Sequence, residues 1–359
     1  CCATLIKTDV ILLLSNMATQ LNIPTGINFT EFGSMFYPTL GHCLPSELHK
    51  ALKGKKIIFS VDEKNLVPIE GWGKRPNPYC AETITTIQPI KGNTMVAALD
   101  SSSIQIAETE DGVLYAVKSG IAISVSEHAL MHFKIGPILF YLSEETIKQS
   151  ELDHRLTKLV LFDSDSAKRL IRIRVERAIQ MELSSHFTKS IILIDGSLKS
   201  SLFENKSQSI TKVAENCLLN KNSIVGISKN TKIRILDSIS SPLTKIRGPA
   251  YMDIEMIIKS LIRNTVGNNL LVKFGNNNSH VLRADVVTNN GNIEETLGRL
   301  LGNDSIAGGY PETLRLAHHI STFTSTEISC LRSHVLNNYD VVELASEDIR
   351  RTLLGSIPI

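Results

Sequence analysis

Two aspartates, Asp100 and Asp195, each follow a short apolar run and precede small residues. The runs are residues 96–99 (Val-Ala-Ala-Leu) and 191–194 (Ile-Ile-Leu-Ile). Such a run is typical of a buried strand, and a carboxylate that ends the strand lies at the sheet edge, where sites are usually built. The pattern therefore predicts a shared metal or phosphate site, and the alternative interpretation is two ordinary Asp turns.

A divalent metal would need a third ligand, and the helix predicted over residues 165–187 offers Glu176 and Glu182. They are six positions apart, about 240° around a helix, so they do not face one site together. Helical phase puts Glu182 nearer the apolar stripe and favours it as the inward residue. The alternative for either glutamate is a solvated position on the helix surface.

The C-terminal part of the chain contributes a histidine. Pro311 occupies the favoured first position of a helix predicted to run to about residue 323. His318 follows Leu314 by one turn and shares its face, so it is directed toward whatever this helix packs on. It is either a ligand or an ordinary core histidine.

Composition restricts the class of protein. The chain has 359 residues, 42% of them hydrophobic and 21% charged, which fits a globular protein of one large or two ordinary domains. Its net charge is +2, so any nucleic-acid contact must come from local clustering of basic residues. The six cysteines lack metal-site spacing, and no apolar run could span a bilayer. We expect a cytoplasmic protein without membrane contact, and the first residue, Cys1, indicates a fragment.

The order of the predicted elements positions these residues in an α/β architecture. Residues 1–23 read as an amphipathic helix, and residues 28–91 are irregular apart from a short strand at 57–59. Strands are predicted over 95–99 and 112–117, and residues 120–125 are either a third strand or the continuation of the second. Their close succession implies an antiparallel meander, which precedes helix 165–187 and strand 191–194. Further strands are predicted over 223–228, 270–274 and 280–287, and further helices over 143–155, 204–220, 253–263, 293–301 and 311–323.

These motifs, in this order, resemble the NurA nucleases of archaea and some bacteria. The resemblance rests on Asp-Ser-Ser at 100–102, Val-Glu-Arg at 175–177, Asp-Gly-Ser-Leu at 195–198, Gly-Ile-Ser-Lys at 226–229 and Gly-Tyr-Pro … Ala-His within 309–318. It covers roughly residues 94–323. The first motif has Asp-Ser-Ser where the family often has Asp-Gly-Ser, and the segment before Asp100 matches poorly.

The resemblance implies an RNase H-like mixed sheet flanked by helices, with an N-terminal extension. It also implies a metal-dependent deoxyribonuclease that hydrolyses phosphodiester bonds with Mn²⁺ or Mg²⁺. By the match, the metal ligands are Asp100, Glu176, Asp195 and His318, with Tyr310 beside them as a further catalytic residue. Glu176 is preferred to Glu182 because its spacing to Asp195 is closer to the family pattern, although helical phase disagrees.

The resemblance extends to partners and cellular role. It implies a homodimer that acts on DNA with the hexameric HerA ATPase in end resection, as a 5′-to-3′ exonuclease with single-strand endonuclease activity. On this basis residues 1–92 form an extension for dimerisation or partner docking, residues 93–330 the nuclease core, and residues 331–359 a C-terminal tail.

Physical chemistry agrees with a metal site. Clustered carboxylates repel one another and so favour a divalent cation, and a histidine among oxygen ligands favours Mn²⁺ over Mg²⁺. Lys229, at the end of strand 223–228, could bind a backbone phosphate as a point charge, or it is an ordinary strand-end lysine. Two other functions stay open: an actin-like ATPase on a related sheet, and a catalytically inactive scaffold that binds DNA ends or HerA.

Overall fold

The computed structural model describes residues 45–59, 83–125, 129–148, 152–229, 235–276 and 279–344, so the helix predicted over 1–23 lies outside the described residues. The strands are β1 (Lys56–Phe59), β2 (Ile84–Thr86), β3 (Met95–Thr109), β4 (Gly112–Val125), β5 (Ala129–Ser143), β6 (Ile191–Asp195), β7 (Ser223–Ser228), β8 (Ala250–Asp253), β9 (Asn268–Lys273), β10 (Leu282–Val287), β11 (Ile306–Ala307), β12 (Tyr310–Pro311) and β13 (Val342–Glu343). The helices are α1 (Pro45–Leu52), α2 (Glu144–Lys148), α3 (His154–Phe162), α4 (Ser164–His186), α5 (Ile210–Leu219), α6 (Ile235–Lys245), α7 (Glu255–Leu261), α8 (Ile293–Asn303), α9 (Glu312–Ser321) and α10 (Ser325–Asn338).

One mixed sheet of eleven strands organises the described part of the chain. Its centre has the order β5-β4-β3-β6-β7, in which β3, β4 and β5 pair antiparallel while β6 pairs parallel with both β3 and β7. A three-stranded antiparallel meander followed by two parallel strands, with helices on both faces, is the RNase H-like arrangement. The predicted fold class is therefore confirmed.

The central strands are apolar on both faces because helices cover both. In β3 and β6, Ala97, Leu99, Ile192 and Ile194 pack in one core cluster with apolar residues of α4. The alternate positions, including Val96 and Leu193, pack in a second cluster with apolar residues of α8 and α9. Since side chains alternate along a strand, Asp100 and Asp195 fall on the α9 face together.

The prediction that β3 ends before Asp100 is wrong. The strand continues to Thr109 because β4 pairs with it along almost its whole length. Its parallel neighbour β6 does stop at Asp195, and the last pairing of these two strands is Leu99 with Ile194. Asp100 therefore lies inside a strand, but at the level where the adjacent strand ends and the sheet opens.

A glycine allows α9 to pack closely on the sheet at this level. Gly120 of β4 lies opposite Asp100. A Cβ at Gly120 would lie 2.3 Å from the carbonyl oxygen of Ala317 and 2.8 Å from the Cβ of Ile320, both in α9. Only a residue without a side chain permits this approach, which brings the helix that bears His318 over Asp100.

The helices follow the predictions unevenly. α4 and α8 lie where they were expected, and α9 begins one residue later because Pro311 is its N-cap residue. The single helix predicted over 143–155 is wrong, since α2 and α3 are separate helices. The helix predicted from 204 starts at Ile210, after a short 3₁₀ turn at Lys206–Gln208. Strands β5 and β8 and helices α6 and α10 were not predicted.

Both ends of the described chain join the main sheet. β1 pairs antiparallel with β3 and parallel with β13, and β2 pairs with β8. The predicted extension over 1–92 thus contributes two strands to the sheet, and α10 spans the predicted boundary at residue 330. The functional division at these boundaries stays a prediction. Across the described residues, no helix combines the length and apolar character that a membrane span requires.

Candidate metal centre

Asp100 is held in place from several directions although it is only 7% exposed. Its Oδ1 accepts a hydrogen bond from the backbone N–H of Ser101 at 2.8 Å. Its Oδ2 accepts one from the hydroxyl of Ser321 at 2.9 Å and lies 2.7 Å from Nδ1 of His318. Both of these partners belong to α9, so the helix and the strand together fix the carboxylate.

Asp195 ends β6 beside this carboxylate. Its Oδ2 accepts a hydrogen bond from Nζ of Lys229 at 2.7 Å and lies 3.7 Å from Nδ1 of His318. The chain turns away at Gly196, whose φ of 118° is a conformation that residues with a side chain rarely adopt. This turn is what leaves Asp195 at the open edge of the sheet.

A buried ion pair fixes the loop that follows β6. Arg283 donates from Nε and Nη2 to the two carboxylate oxygens of Asp285, at 2.9 and 3.0 Å. The backbone N–H of Leu198 donates to Oδ2 of Asp285 at 2.9 Å, and Asn269 donates to its Oδ1 at 2.8 Å. Burial raises the pKa of Asp285, and the charge of Arg283 opposes that shift. The loop after the site is thereby attached to β10.

His318 lies on the predicted face of α9. Leu314, one turn earlier, is fully buried against the sheet, whereas the side chain of His318 is 49% exposed. The ring thus stands between the two aspartates at the rim of the core, with one edge in solvent. His319 is exposed beside it, with the two ring centroids 6.3 Å apart.

Asp100, Asp195 and His318 form a group that could hold a metal ion, since they offer ligand atoms that all lie within 4.8 Å of one another. Two carboxylate oxygens and one imidazole nitrogen are ligands that suit Mn²⁺, and the carboxylates also suit Mg²⁺. The two negative charges at one point favour a cation. This donor set fits the predicted cofactor.

Of the two candidate glutamates on α4, Glu176 is the buried one. It is 6% exposed, while Glu182 is partly exposed and lies 3.6 Å from Nδ1 of His186. The inference from helical phase, which favoured Glu182, is therefore wrong. Helical phase failed because α4 is buried around much of its circumference, including at the polar residues Arg177 and Gln180. The apolar stripe therefore did not mark a single inward face.

Glu176 is surrounded by donors. Its Oε1 accepts hydrogen bonds from Nε2 of Gln180 at 3.1 Å and from Nη1 of Arg177 at 3.4 Å, and its Oε2 lies 3.6 Å from Nη1 of Arg172. Burial raises the pKa of Glu176, the two arginines oppose this, and the charges of Asp100 and Asp195 add to it. Glu176 thus lies within electrostatic range of the centre, though outside the compact group of three.

Tyr310 and Lys229 line the same site. Nζ of Lys229 lies 5.2 Å from the ring centroid of Tyr310. The Tyr310 hydroxyl is buried close to the Asp195 carboxylate but has no hydrogen bond of normal geometry among the described residues. Burial, and after it the charges of Asp195 and Asp100, raise the pKa of Tyr310 far above its usual value. The phenol therefore stays protonated and has a hydrogen bond to donate.

One residue of the site was missed from the sequence. Ser321 follows His318 by three positions, so the two share a helix face, and its hydroxyl bonds to the same oxygen of Asp100 that faces the histidine. That spacing was a readable signal. The support that Arg283 and Asp285 give to the loop after β6 had no signal in the sequence, because it depends on the pairing of β10 with β7.

Comparison with known proteins assigns part of the chain to a known domain family. The model of the NurA domain matches residues 95–265. Among solved structures, the NurA nuclease from Sulfolobus solfataricus is 16% identical with a TM-score of 0.46, covering 70% of this chain and 87% of that one. A NurA structure bound to dAMP and manganese is 12% identical with a TM-score of 0.45, covering 74% and 92%.

Endonuclease V from Bacillus subtilis is 14% identical with a TM-score of 0.29, covering 71% of this chain and 88% of that one. No curated protein sequence matches the chain. The assignment of the family rests on the domain match, which includes Asp100, Glu176 and Asp195 and ends before Tyr310 and His318. The chain therefore carries a NurA domain over residues 95–265, and the predicted resemblance to that family is confirmed.

Proposed function

We propose that this protein is a metal-dependent DNA nuclease that hydrolyses phosphodiester bonds with Mn²⁺ or Mg²⁺. The observation that carries the proposal is the convergence of Asp100, Asp195 and His318 within 4.8 Å at one edge of the sheet. The NurA domain over residues 95–265 supports the choice of a nuclease over other metal-dependent reactions. Glu176 is the proposed fourth ligand, supported by its burial and by its electrostatic interaction with both aspartates.

A divalent ion bound here would supply an activated water and neutralise charge on the scissile phosphate. The protein contributes orientation, because Ser101 and Ser321 hold Asp100 by hydrogen bonds and the Gly196 turn fixes the end of β6. Preset ligands of this kind need little rearrangement when substrate arrives.

Two further side chains have separate proposed roles. Lys229 is exposed and next to Asp195, so its ammonium group is placed to bind a backbone phosphate that enters the site. Tyr310 remains protonated and donates a hydrogen bond to an oxygen of the substrate or of the attacking water. Tyr310 does not need to change its protonation state for this.

The finer proposal concerns substrate and partners. We assign 5′-to-3′ exonuclease and single-strand endonuclease activity, acting as a homodimer with the HerA ATPase in DNA end resection. Residues 1–92 are assigned to dimerisation or to docking of that ATPase. The support for these assignments is the family resemblance of the motifs, together with the NurA domain match.

The test is digestion of end-labelled single-stranded and duplex DNA with Mn²⁺, with Mg²⁺ and with EDTA. Cleavage with either metal and none with EDTA is expected. Asp195→Asn should abolish cleavage: loss of a partner that merely supports a metal ligand costs about 10- to 100-fold in activity, and loss of a ligand costs more. The control is Asp253→Asn, which changes an exposed aspartate at the end of β8.

Three outcomes would contradict the proposal. DNA binding without cleavage under any metal would favour an inactive scaffold, and ATP hydrolysis in the absence of DNA would favour an ATPase. Near-normal cleavage by a folded Asp195→Asn variant would refute the metal site itself.

A further inference from the structure

A pocket opens at the end of the central strands that lies opposite the metal centre. It has a volume of about 230 Å³ and is lined by residues at the beginnings of β6, β7 and α8. Ser190 precedes β6 and lines the pocket, whereas Asp195 ends the same strand at the metal centre. At the rise of an extended strand the two positions are about 17 Å apart. The pocket is therefore separate from the site described above.

Three cationic side chains and one carboxylate surround this pocket. Lys189 and Lys221 are exposed, and in the described part of the chain neither ammonium group has an ion pair. Arg299 pairs with Glu295 at 2.7 Å, which neutralises the carboxylate. The excess of positive charge is local, because 38 Lys and Arg almost balance 36 Asp and Glu in the whole chain.

The two lysines occupy an uncommon backbone conformation. Lys189 has a φ of 54° and Lys221 a φ of 59°, in the left-handed region that favours Gly and Asn. Their loops are tied together, since the N–H of Lys189 donates to the carbonyl of Asn220 and the side chain of Asn289 donates to the carbonyl of Lys221 at 2.6 Å. Two neighbouring loops each have a lysine at a position where glycine would be less strained, which points to a use for the charged side chains.

The floor of the pocket offers hydroxyl donors. Thr94 and Ser223 are 6% and 5% exposed. The hydroxyl of Thr94 accepts from Nη1 of Arg299 at 3.3 Å, and that of Ser223 accepts from the N–H of Asn289 at 3.2 Å. Among the described residues neither hydroxyl proton has an acceptor, so both remain available to donate. Two buried hydroxyls under a rim of cations match the acceptor oxygens and negative charge of a phosphate.

We propose that this pocket binds a phosphate group, independently of the metal centre. The ligand is either a free phosphate compound, such as a mononucleotide, or an internucleotide phosphate of a DNA strand that crosses this edge of the sheet. In both cases Lys189 and Lys221 provide the charge, and Thr94 and Ser223 provide short hydrogen bonds at the base.

The test measures binding to the full-length chain in EDTA, so that no metal ion can hold phosphate at the other site. The probes, measured by calorimetry, are inorganic phosphate, dAMP and a 12-nucleotide single strand. The test variant is Lys189→Gly with Lys221→Gly, because glycine adopts these backbone angles readily and preserves the fold. The matched control is Lys189→Arg with Lys221→Arg, which keeps both charges.

Wild type and the arginine variant are expected to bind, and the glycine variant about tenfold or more weakly, since each lost charge-assisted hydrogen bond contributes to affinity. If the glycine variant binds phosphate and dAMP more weakly than wild type, the ligand is a free phosphate compound. If it binds only the oligonucleotide more weakly, the ligand is a phosphate of a DNA strand. Equal binding of all three probes by the glycine variant overturns the proposal, as does the absence of binding by wild type. A loss in Lys229→Ala as large as in the glycine variant also overturns it, because binding would then lie at the metal centre.

DNA cleavage with Mn²⁺ is measured separately on the same variants. The glycine variant should still cut a short substrate, because the pocket and the metal centre are at opposite edges. Failure of wild type to cut would refute the nuclease proposal and would leave the phosphate-binding result to be judged by itself.

Discussion

At the scale of single residues, the site depends on side-chain alternation along two neighbouring strands. Asp100 and Asp195 share a face because each occupies the position after a matched pair, Leu99 and Ile194. The sequence was enough to select both aspartates and His318. It was not enough to orient Glu176, because buried polar residues on α4 are held by partners that are distant in the chain, such as the pairing of Arg177 with Glu204 at 2.7 Å.

The two glutamates of α4 give a paired prediction. Glu176→Gln should reduce metal-dependent cleavage by more than about a hundredfold, since it removes a buried charge near both aspartates but keeps the shape of the side chain. Glu182→Gln should cleave normally, because Glu182 is partly exposed and paired with His186. Rates of cleavage with Mn²⁺, measured after thermal melts confirm folding, provide the comparison. The reverse ranking would remove Glu176 from the proposed ligands.

His318 should determine the preference between metals. A neutral imidazole among carboxylates favours Mn²⁺, whereas Mg²⁺ prefers oxygen ligands. His318→Asp should therefore shift the ratio of cleavage rates toward Mg²⁺, while His318→Ala should lose activity with both ions. His319→Ala is the control, because His319 is the adjacent exposed histidine. Normal cleavage by His318→Ala would show that histidine is no ligand in this site.

At the scale of elements, the position of α9 relative to β3 and β4 forms the site. Its C-terminal end is held by Lys118, a buried lysine of β4 whose Nζ donates to the carbonyl of Thr322 and to Glu327 of α10, each at 2.7 Å. Its N-terminal end is held by Asp304, whose Oδ2 accepts from the hydroxyl of Thr313 at 2.5 Å. Both attachments join residues of different elements, so only the hydrophobic face of α9 could be predicted from sequence.

Asp304 makes the stability of the fold depend on pH. Burial raises the pKa of Asp304 to about 6. Because the folded state then binds a proton that the unfolded state releases, stability should fall as pH rises from about 4 to about 6, by roughly 2–3 kcal/mol, and change no further above that. The side chain introduced by Asp304→Asn does not titrate. The unfolding free energy of the variant minus that of wild type, measured in urea melts, should therefore rise as pH rises across this window.

Asp163→Asn is a control, because the contribution of Asp163 to stability should depend on pH in the opposite direction. The hydroxyl of Ser166 and the N-terminal N–H groups of α4 hold the pKa of Asp163 below its usual value, the hydroxyl contributing most. Its stabilising effect is therefore present near neutral pH and lost only as pH falls toward and below 4. If the difference for Asp304→Asn stays constant from pH 4 to 8, Asp304 does not titrate as its burial implies.

At the scale of the whole molecule, the sheet extends well beyond the part that could be read from local pattern. The parallel strands β6 and β7 were predictable because their apolar runs are bounded by turn residues. The meander was predicted only in part, since residues 120–125 continue β4 and the third strand, β5, was not predicted. Strand β1 was predicted over 57–59, but the strands at the two ends of the sheet order were not, since β2 and β13 consist of three and two residues and are strands only by pairing with β8 and β1. Such short segments carry no periodic signal of their own.

This extension predicts that the C-terminal segment is part of the core rather than an appended tail. Val335 and Tyr339 of the α10 region are 0% and 5% exposed and belong to one apolar cluster with Leu52 and Ile57 from the other end of the chain. Glu327 of α10 neutralises Lys118, whose side chain is only 3% exposed. Ending the chain after Thr324 should therefore expose apolar surface and leave a buried ammonium group unpaired, a change that costs several kcal/mol.

The measurement is thermal unfolding of two truncated chains. The chain that ends after Thr324 should melt well below the full chain or fail to fold, and cleavage should be lost with it, because Lys118 also holds the end of the helix that bears His318. The chain that ends after Leu344 retains α10 and β13 and is the matched control for the removal of C-terminal residues. Lys118→Met in the chain that ends after Thr324 removes the unpaired charge and should recover part of the loss. Unchanged melting of the chain that ends after Thr324 would show that the C-terminal segment is dispensable for the fold.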